Sequence, residues 1–257
     1  MMQAMIFAAG LGTRLKPLTN HMPKAMVSVG GEPLLKRVID KLKNSGTGHI
    51  VVNVHHFASQ ITDYLKNNGN FGMDISISDE TEKLLDTGGG IKKAAPLFDN
   101  HYPILIHNVD ILSNVDLRKF YAEASTPHRY DDGTEAIPDA LLLVSERKTK
   151  RYLLFDDDMR LVGWTNVATG EVRSPYEGLN PSDCRMLAFA GIHAISPSLF
   201  KMMDEEFPDK FGIIDFYLKA CATHNIRGYL KPDLQLLDVG KPEALQLANE
   251  KMKNEEL

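Results

Sequence analysis

The sequence has little cysteine and no long hydrophobic run, and each shortage excludes a class of protein. Its two cysteines, Cys184 and Cys221, lie far apart without a Cys-x-x-Cys pair, which argues against a zinc ribbon and a disulfide framework. No apolar run approaches the roughly 18 residues of a membrane-spanning helix, so we expect no membrane partner. The apolar N-terminal stretch carries no positive charge and is too short for a signal peptide. We therefore expect a cytoplasmic protein.

Basic residues are also too few and too scattered for a nucleic-acid surface. The 29 Lys and Arg residues are outnumbered by 34 Asp and Glu residues, which gives a formal net charge of −5. Since no dense basic run occurs, we expect no nucleic-acid partner. The composition is typical of a globular protein, with 43% apolar and 25% charged residues. A chain of 257 residues is long enough to bury a hydrophobic core.

Short apolar runs alternate with amphipathic stretches in the first half of the chain. This rhythm predicts an α/β fold that is Rossmann-like and three-layered, with a mostly parallel sheet and helices on both faces. The predicted strands are Met5–Ala9, Ile50–Val54, Asp74–Ser78, Ile104–Ile106, Leu141–Val144, Arg151–Asp156, Arg160–Trp164 and Ala188–Ile195. The predicted helices are 33–45, Ser59–Lys66, Gly90–Phe98, Asp116–Ala124, Ile213–Thr223 and Glu243–Lys253.

A glycine-containing loop follows the first predicted strand and is closed by Pro23-Lys24. Its glycines let backbone N–H groups approach a phosphate chain, but the loop is neither the dinucleotide motif nor a P-loop. Backbone donors together with Arg14 and Lys24 suit a triphosphate that is about to lose pyrophosphate. A tight turn with two surface cations is the alternative interpretation.

Two aspartates end predicted strands. Asp110 follows an apolar strand, and Asp238 follows a leucine pair and precedes a glycine. Ligands bind at the carboxyl ends of strands in open α/β sheets, and Mg²⁺ prefers one or two carboxylates together with substrate phosphates. For either residue alone, a helix cap or a turn is the alternative.

The stretch from Thr87 to Gly90 offers bare backbone that can lie against a base or ribose. Glu80 and Glu82 stand just before it, and a carboxylate can accept hydrogen bonds from guanine, whereas uracil needs only a backbone carbonyl. A glycine-rich turn leading into a helix is an equally good explanation of this stretch.

These motifs together resemble those of the sugar-1-phosphate nucleotidyltransferases. Such enzymes join a nucleoside triphosphate to a sugar 1-phosphate and release pyrophosphate. Five segments follow in the family's order: the loop 10–19 closed by Lys24, Leu85-Asp86-Thr87-Gly88-Gly89-Gly90, Asn108-Val109-Asp110, Phe189-Ala190-Gly191-Ile192 and Asp238-Val239-Gly240-Lys241-Pro242-Glu243. The resemblance covers residues 4 to about 250, and its motifs are specific as a set.

The resemblance implies a role for each matching residue. It assigns catalysis to Arg14 and Lys24, and Mg²⁺ binding to Asp110 and Asp238. It assigns the sugar phosphate to Lys24, Asn108 and Gly191. It assigns the nucleotide to Ala9, Gly10, Leu11, Gly12, Thr13, Arg14, Thr87 and Gly88. Some family members add a glutamate–lysine pair that is missing here, which leaves Lys24, Arg147 or Arg151 to hold the sugar phosphate.

The form of the second loop is most similar to that of N-acetylmuramate 1-phosphate uridylyltransferases of cell-wall recycling. Mannose- or heptose-1-phosphate guanylyltransferases are the alternative, and a non-catalytic nucleotide-sugar-binding regulatory protein is a rival from another class. We expect one nucleotidyltransferase domain over residues 1–257, with a nucleotide-binding half (1–124), a mobile surface loop (125–139) and a sugar-binding half (140–257). A monomer and a homodimer are equally compatible with the sequence.

Overall fold

The computed structural model describes residues 1–130 and 133–254, so the parts of the expected domain and surface loop that fall on 131, 132 and 255–257 lie outside the described residues. The strands are β1 Gln3–Phe7, β2 Ser28–Val29, β3 Glu32–Pro33, β4 His49–Val54, β5 Asp74–Asp79, β6 Ile104–Asn108, β7 Ile111–Ser113, β8 His128–Arg129, β9 Glu135–Ala136, β10 Ala140–Ser145, β11 Arg151–Phe155, β12 Leu161–Asn166, β13 Glu171–Arg173, β14 Arg185–Ile195, β15 Ile226–Leu230 and β16 Leu236–Asp238. The α-helices are α1 Leu34–Asn44, α2 Ala58–Asn67, α3 Asp86–Ala94, α4 Leu117–Glu123, α5 Phe200–Glu206, α6 Ile213–Ala220 and α7 Pro242–Lys253.

The first half of the chain builds the parallel part of the main sheet. Strands β6, β1, β4 and β5 lie side by side in that order, and all their pairings are parallel. The side chains of β1 alternate between faces: Ala4 and Ile6 pack on one core cluster, and Met5 on the other. Strands buried on both faces are continuous apolar runs, which explains the pattern seen in the sequence.

The second half adds strands that are mostly antiparallel. Strand β14 pairs antiparallel with β6, β10 and β11, and β12 and β13 continue the sheet antiparallel beyond β11. The α/β class and the three layers are confirmed. The ten-stranded sheet is mixed, however, because the expected parallel arrangement holds for the first half and for the β10–β15 pair.

Helices cover both faces of the sheet and bury two apolar clusters. Leu35 and Ile39 of α1, Phe120 of α4 and Ala248 of α7 lie in the cluster on one face. Ile91 of α3, Met203 of α5 and Phe216 of α6 lie in the cluster on the other face. The sheet is thus the middle layer of three, and its strand ends open between the helices.

The largest difference from the sequence prediction concerns α3. The predicted start at Gly90 is wrong, because the helix begins at Asp86; the α-helix ends at Ala94, and a 3-10 turn continues over Ala95–Leu97, next to the predicted end at Phe98. Glycines disfavour helix interiors on propensity alone. Here Gly88 and Gly89 are buried against the chain segment of Asp209 and Phe211, and this tertiary contact outweighs their propensity.

Helix α5, strand β15 and several strands of two or three residues were not predicted from the sequence. Helix α5 is short, and β15 alternates buried and half-buried residues around Gly228. In the segment 125–139, β8 and β9 form a small antiparallel hairpin. Tyr130 follows β8 and is buried, with its ring beneath the guanidinium groups of Arg160 and Arg227.

Candidate active site

A cavity of about 380 Å³ opens at the carboxyl ends of the parallel strands. Phe7 of β1 is in register with Asn53 of β4 on one side and with Asn108 of β6 on the other. All three residues line the cavity, together with Ala9, Gly10, Lys24, Thr87 and Asp110. This position is where open α/β sheets bind ligands.

The loop after β1 presents unused backbone donors. Gly12 has φ +63°, and its carbonyl accepts hydrogen bonds from the Leu15 N–H (2.9 Å) and the Thr19 hydroxyl (2.8 Å). Within residues 1–130 and 133–254, no protein acceptor is bonded to the backbone N–H groups of 10–13. Four successive free N–H groups at a cavity mouth form a concavity that suits an anion.

A buried polar network holds this loop in place. The Asn53 side-chain oxygen accepts from the backbone N–H groups of Ala8 (2.7 Å) and Ala9 (3.2 Å). Its amide nitrogen donates to Glu80 (2.8 Å), whose other oxygen accepts from the Leu85 N–H (3.0 Å). Ala9, expected to bind nucleotide, therefore has its N–H committed to Asn53, and Glu80 ties the first loop to the start of α3.

Lys24 and Asp110 meet at the floor of the cavity. The Lys24 ammonium forms an ion pair with Oδ2 of Asp110, although the residues are 86 positions apart in the chain. Lys24 is only 8% exposed, so its charge lies in a region that water reaches poorly. The structure thus brings together the two residues for which the sequence analysis predicted a catalytic and a metal-binding role, and those roles stay predictions.

The second aspartate reaches the same edge through a short strand pair. Strand β16 pairs antiparallel with β7, which places Asp238 opposite Ile111, and the Val239 N–H donates to the Asp110 carbonyl (2.8 Å). Asp238 is exposed, and Asp110 is partly exposed. Two carboxylates on adjacent backbone fit Mg²⁺, which needs few protein ligands when phosphates supply the rest.

Arg14 lies next to Asp238 around Gly240. A Cβ on Gly240 would stand 2.5 Å from Nη2 of Arg14 and 2.7 Å from Oδ1 of Asp238. Gly240 thus permits the close approach of a guanidinium and a carboxylate that come from opposite ends of the chain. Arg14, Leu11 and Thr13 are exposed.

The second glycine stretch has a packing role. The N–H groups of Gly88 and Gly89 donate to the Phe211 carbonyl (2.9 and 3.2 Å), so neither is free for a nucleotide. Thr87 lines the cavity, but its hydroxyl accepts from the Ile213 N–H (2.9 Å). Of this stretch, only Asp86 and Thr87 line the cavity.

Gly191 lies beside Asn108, and the sequence analysis predicted that both contact the sugar phosphate. It has φ +75° at an irregularity of β14, and a Cβ there would stand 2.8 Å from Nδ2 of Asn108. Only glycine therefore permits β14 to pass so close to the end of β6.

Among the polar side chains that line the cavity, three were not assigned to the site from the sequence: Asn53, Asp86 and Lys210. A polar residue inside an apolar strand was the available signal for Asn53, which is 2% exposed. Asp86 stands in the segment 85–90 that resembles the family, although that resemblance assigned it no role, and it has φ +64°, an uncommon conformation for a residue other than glycine. Lys210 comes from a loop that only the tertiary fold brings to the cavity.

His107 is a buried neighbour of the site. Burial lowers the pKa of His107 to about 4, so its imidazole is neutral near pH 7. Its Nδ1 donates to the Asn108 carbonyl (2.8 Å), and its side chain does not line the cavity. This geometry assigns His107 a supporting role beneath the strand end.

In the part of the chain that the structure describes, no group of three or more His, Cys, Asp and Glu residues could hold a metal ion. Among the same described residues, no helix is long and apolar enough to cross a membrane.

Comparison with known proteins gives matches to most of the chain. A family model described as nucleotidyl transferase matches residues 3–156. N-acetylmuramate alpha-1-phosphate uridylyltransferase of Caulobacter vibrioides is 32% identical over 254 residues, which cover 94% of this chain and 93% of the relative. D-glycero-alpha-D-manno-heptose 1-phosphate guanylyltransferase of Campylobacter jejuni is 35% identical over 242 residues, 94% of this chain and 96% of the relative. Among solved structures, HddC from Yersinia pseudotuberculosis shares the fold, with a TM-score of 0.74, 23% identity and coverage of 98% and 99%.

Proposed function

The chain belongs to the nucleotidyl transferase family, as an enzyme that acts on sugar 1-phosphates, and we propose that it transfers uridylyl from UTP to N-acetylmuramate 1-phosphate. The observation that carries the proposal is the Lys24–Asp110 ion pair on the floor of a cavity whose mouth carries four free N–H groups. The N–H groups suit the triphosphate, and Lys24 lies where the α-phosphate and the sugar phosphate would meet.

The proposed chemistry is an in-line displacement. A phosphate oxygen of the sugar 1-phosphate forms a bond to the α-phosphorus of the nucleotide. The bond from the α-phosphorus to the bridging oxygen breaks, and pyrophosphate leaves with the electron pair. The nucleophile is already anionic near neutral pH, so no strong general base is needed. Catalysis then depends on alignment and on cancellation of charge.

Each charged group has a distinct task in this proposal. The backbone of residues 10–13 holds the triphosphate, and Arg14 neutralises the departing pyrophosphate. Lys24 bridges the α-phosphate and the sugar phosphate, with Asp110 keeping its ammonium in place. Mg²⁺ bound by Asp110 and Asp238 would draw negative charge from the phosphates. We place the reaction in the cytoplasm, where free thiols such as those of Cys184 and Cys221 persist.

The environment of Glu80 supports uracil over guanine. Both carboxylate oxygens of Glu80 already accept hydrogen bonds from Asn53 and Leu85, and the residue is 1% exposed. Glu82 is exposed and does not line the cavity. The two carboxylates expected from the sequence as guanine acceptors are thus committed elsewhere or outside the cavity.

One observation favours a guanylyltransferase that uses mannose or heptose 1-phosphate. Asp86 lines the cavity and accepts from the Thr87 N–H with one carboxylate oxygen (2.7 Å). Its other oxygen is a possible acceptor for the N–H groups of guanine. The identity to the Campylobacter guanylyltransferase, 35%, supports this alternative about as much as the 32% identity to the Caulobacter enzyme supports the uridylyltransferase.

The test is pyrophosphate release from UTP, GTP, CTP and ATP, each combined with the 1-phosphates of N-acetylmuramate, N-acetylglucosamine, glucose, mannose and heptose. We expect release with UTP and N-acetylmuramate 1-phosphate, in Mg²⁺ and not in chelator. Lys24→Met serves as the inactive control.

Other results would redirect the assignment. Release with GTP and mannose or heptose 1-phosphate would replace the proposal by the guanylyltransferase. Nucleotide-sugar binding without release in any combination would identify a non-catalytic regulatory protein.

A further inference from the structure

A second cavity, of about 370 Å³, is lined by three arginines and three aromatic side chains. We call it the arginine pocket, and its defining residues are Arg147, Arg151, Tyr152, Trp164, Arg173 and Phe189. Two of the three arginines are Arg147, in the loop between β10 and β11, and Arg151, the first residue of β11. The tasks assigned to charged groups under the proposed function include none of its residues.

The arginine pocket has positive charge that the protein leaves unbalanced. Arg173 is neutralised by Asp215 (2.6 Å) and lies over the ring of Trp164. Arg147 donates to the Phe189 carbonyl (3.1 Å). Among the described residues, no carboxylate pairs with Arg147 or Arg151. Two guanidinium groups at one cavity are well suited to a carboxylate or a phosphate.

The walls of the arginine pocket continue those of the active-site cavity. Phe189 precedes Gly191 by two residues, about 7 Å along a strand, and Gly191 contacts Asn108 of the first cavity. On the other wall, Ile214 follows Ile213, whose N–H donates to Thr87 of the first cavity. A ligand whose phosphate lies beside Lys24 can therefore extend its body toward the arginine pocket.

Aromatic and cationic groups together indicate an acidic saccharide. Trp164, Tyr152 and Phe189 present apolar ring surface of the kind that packs against the C–H face of a sugar. A neutral sugar would leave the guanidinium groups of Arg147 and Arg151 without a counter-charge once it excluded water from the pocket, which costs free energy. A sugar with a carboxylate would satisfy them.

On these grounds we propose that the arginine pocket holds the sugar ring of the acceptor, and that Arg147 and Arg151 recognise a carboxylate carried by that sugar. The inference rests on the proposed function, since it takes a sugar 1-phosphate as the acceptor. N-acetylmuramate carries a lactyl carboxylate on the oxygen where N-acetylglucosamine has a hydroxyl. These two sugars thus differ in the carboxylate that the two arginines would recognise.

Trp164 is the single tryptophan of the sequence, so its fluorescence reports on this pocket alone. The protein is titrated, without nucleotide, with N-acetylmuramate 1-phosphate and with N-acetylglucosamine 1-phosphate. We expect a saturable change with both sugars and about tenfold tighter binding of the carboxylated one, as a charge-assisted hydrogen bond provides. Arg151→Gln and Arg147→Gln should each lower this preference ratio several-fold.

Arg185→Gln is the matched control, because Arg185 is an exposed arginine of β14 outside the arginine pocket. It should leave the preference ratio unchanged. The preference is then measured a second time, as the ratio of the kcat/KM values for the two sugar 1-phosphates in pyrophosphate release.

Three results would overturn the inference: equal weakening of both sugars in Arg147→Gln and Arg151→Gln, an unchanged ratio in both variants, or no Trp164 response to either sugar. Equal weakening would assign the arginines to the 1-phosphate. Carboxylate-dependent binding without pyrophosphate release would support the pocket while contradicting the proposed reaction, so the two failures are distinguishable.

Discussion

At the scale of single residues, a substitution at Gly10 should affect nucleotide binding without affecting the stability of the fold. A Cβ added at Gly10 would meet no atom within 4 Å, and Gly10 is not among the glycines with positive φ. Gly10→Ala should therefore change the free energy of unfolding by less than about 0.5 kcal/mol. The methyl group would stand where the triphosphate approaches the free N–H groups, so we expect KM for the nucleotide to rise about tenfold.

Urea unfolding and initial-rate kinetics measure the two quantities on one protein preparation. An unchanged KM in Gly10→Ala would show that the triphosphate does not lie against this loop.

The contributions of Lys24 and Asp110 to the free energy of unfolding should depend on each other. In Asp110→Asn, the buried ammonium of Lys24 loses its counter-charge, and the free energy of unfolding should fall by about 1–3 kcal/mol. Because Lys24→Met removes that ammonium, adding Asp110→Asn to it should cost clearly less. Denaturant unfolding of both single variants and of the double variant checks this, and additive losses would contradict it.

Lys24→Met should also separate the two kinetic parameters. If Lys24 acts on the developing charge, kcat falls at least about 100-fold, and KM for the nucleotide changes much less. Steady-state kinetics at saturating sugar 1-phosphate measure both. A rise in KM at constant kcat would instead assign Lys24 to ground-state binding.

The sequence predicted Lys24 and Asp110, but not their direct contact. A motif shows which residue types are present, whereas the ion pair depends on how the first loop folds back over the end of β6. Asn53 illustrates the same limit. Its three hydrogen-bonding partners come from the first loop and from the end of β5, so no local pattern around Asn53 contains them.

At the scale of elements, α3 is positioned by what its glycines allow. A Cβ on Gly89 would overlap the backbone carbonyl oxygen of Asp209, which cannot move as a side chain can. Gly89→Ala should therefore lower the free energy of unfolding by about 1–3 kcal/mol. Gly10→Ala is the control for the same chemical change in open space, and equal stability of the two variants would contradict tight packing of α3.

Strong apolar periodicity made the parallel strands and α1 predictable. The boundaries of α3 and the existence of α5 were not predictable, because contacts distant in sequence decide them. Strand β15 contains Gly228 and few strongly apolar residues, and it exists because β10 offers it a parallel edge.

At the scale of the whole molecule, two fully buried histidines should make stability depend on pH. Burial lowers the pKa of His107 to about 4 and that of His193 to about 3, against 6.5 in the unfolded chain. Both lie below the unfolded value, so the unfolded chain takes up protons first, and stability is lost as pH falls from 6.5 toward 4. At pH 4.5 each histidine should cost about 2–3 kcal/mol relative to pH 7.

Urea unfolding at pH 7 and at pH 4.5 measures this loss. His193→Gln keeps a polar group opposite the Tyr217 hydroxyl and should shrink the difference between the two pH values by about 2–3 kcal/mol. The same difference in the variant and in the wild type would show that His193 does not contribute.

The late position of β14 in the chain means that β6 is synthesised well before the strand that covers its outer edge. Within residues 1–130 and 133–254, β14 is the strand that covers the outer edge of β6. It emerges from the ribosome on the order of ten seconds after β6 at ordinary translation rates. During this interval the nascent parallel sheet carries an open, apolar edge at Ile104–Asn108. Slow translation should therefore favour aggregation of the nascent chain, and a chaperone that shields this edge should raise the yield of folded protein.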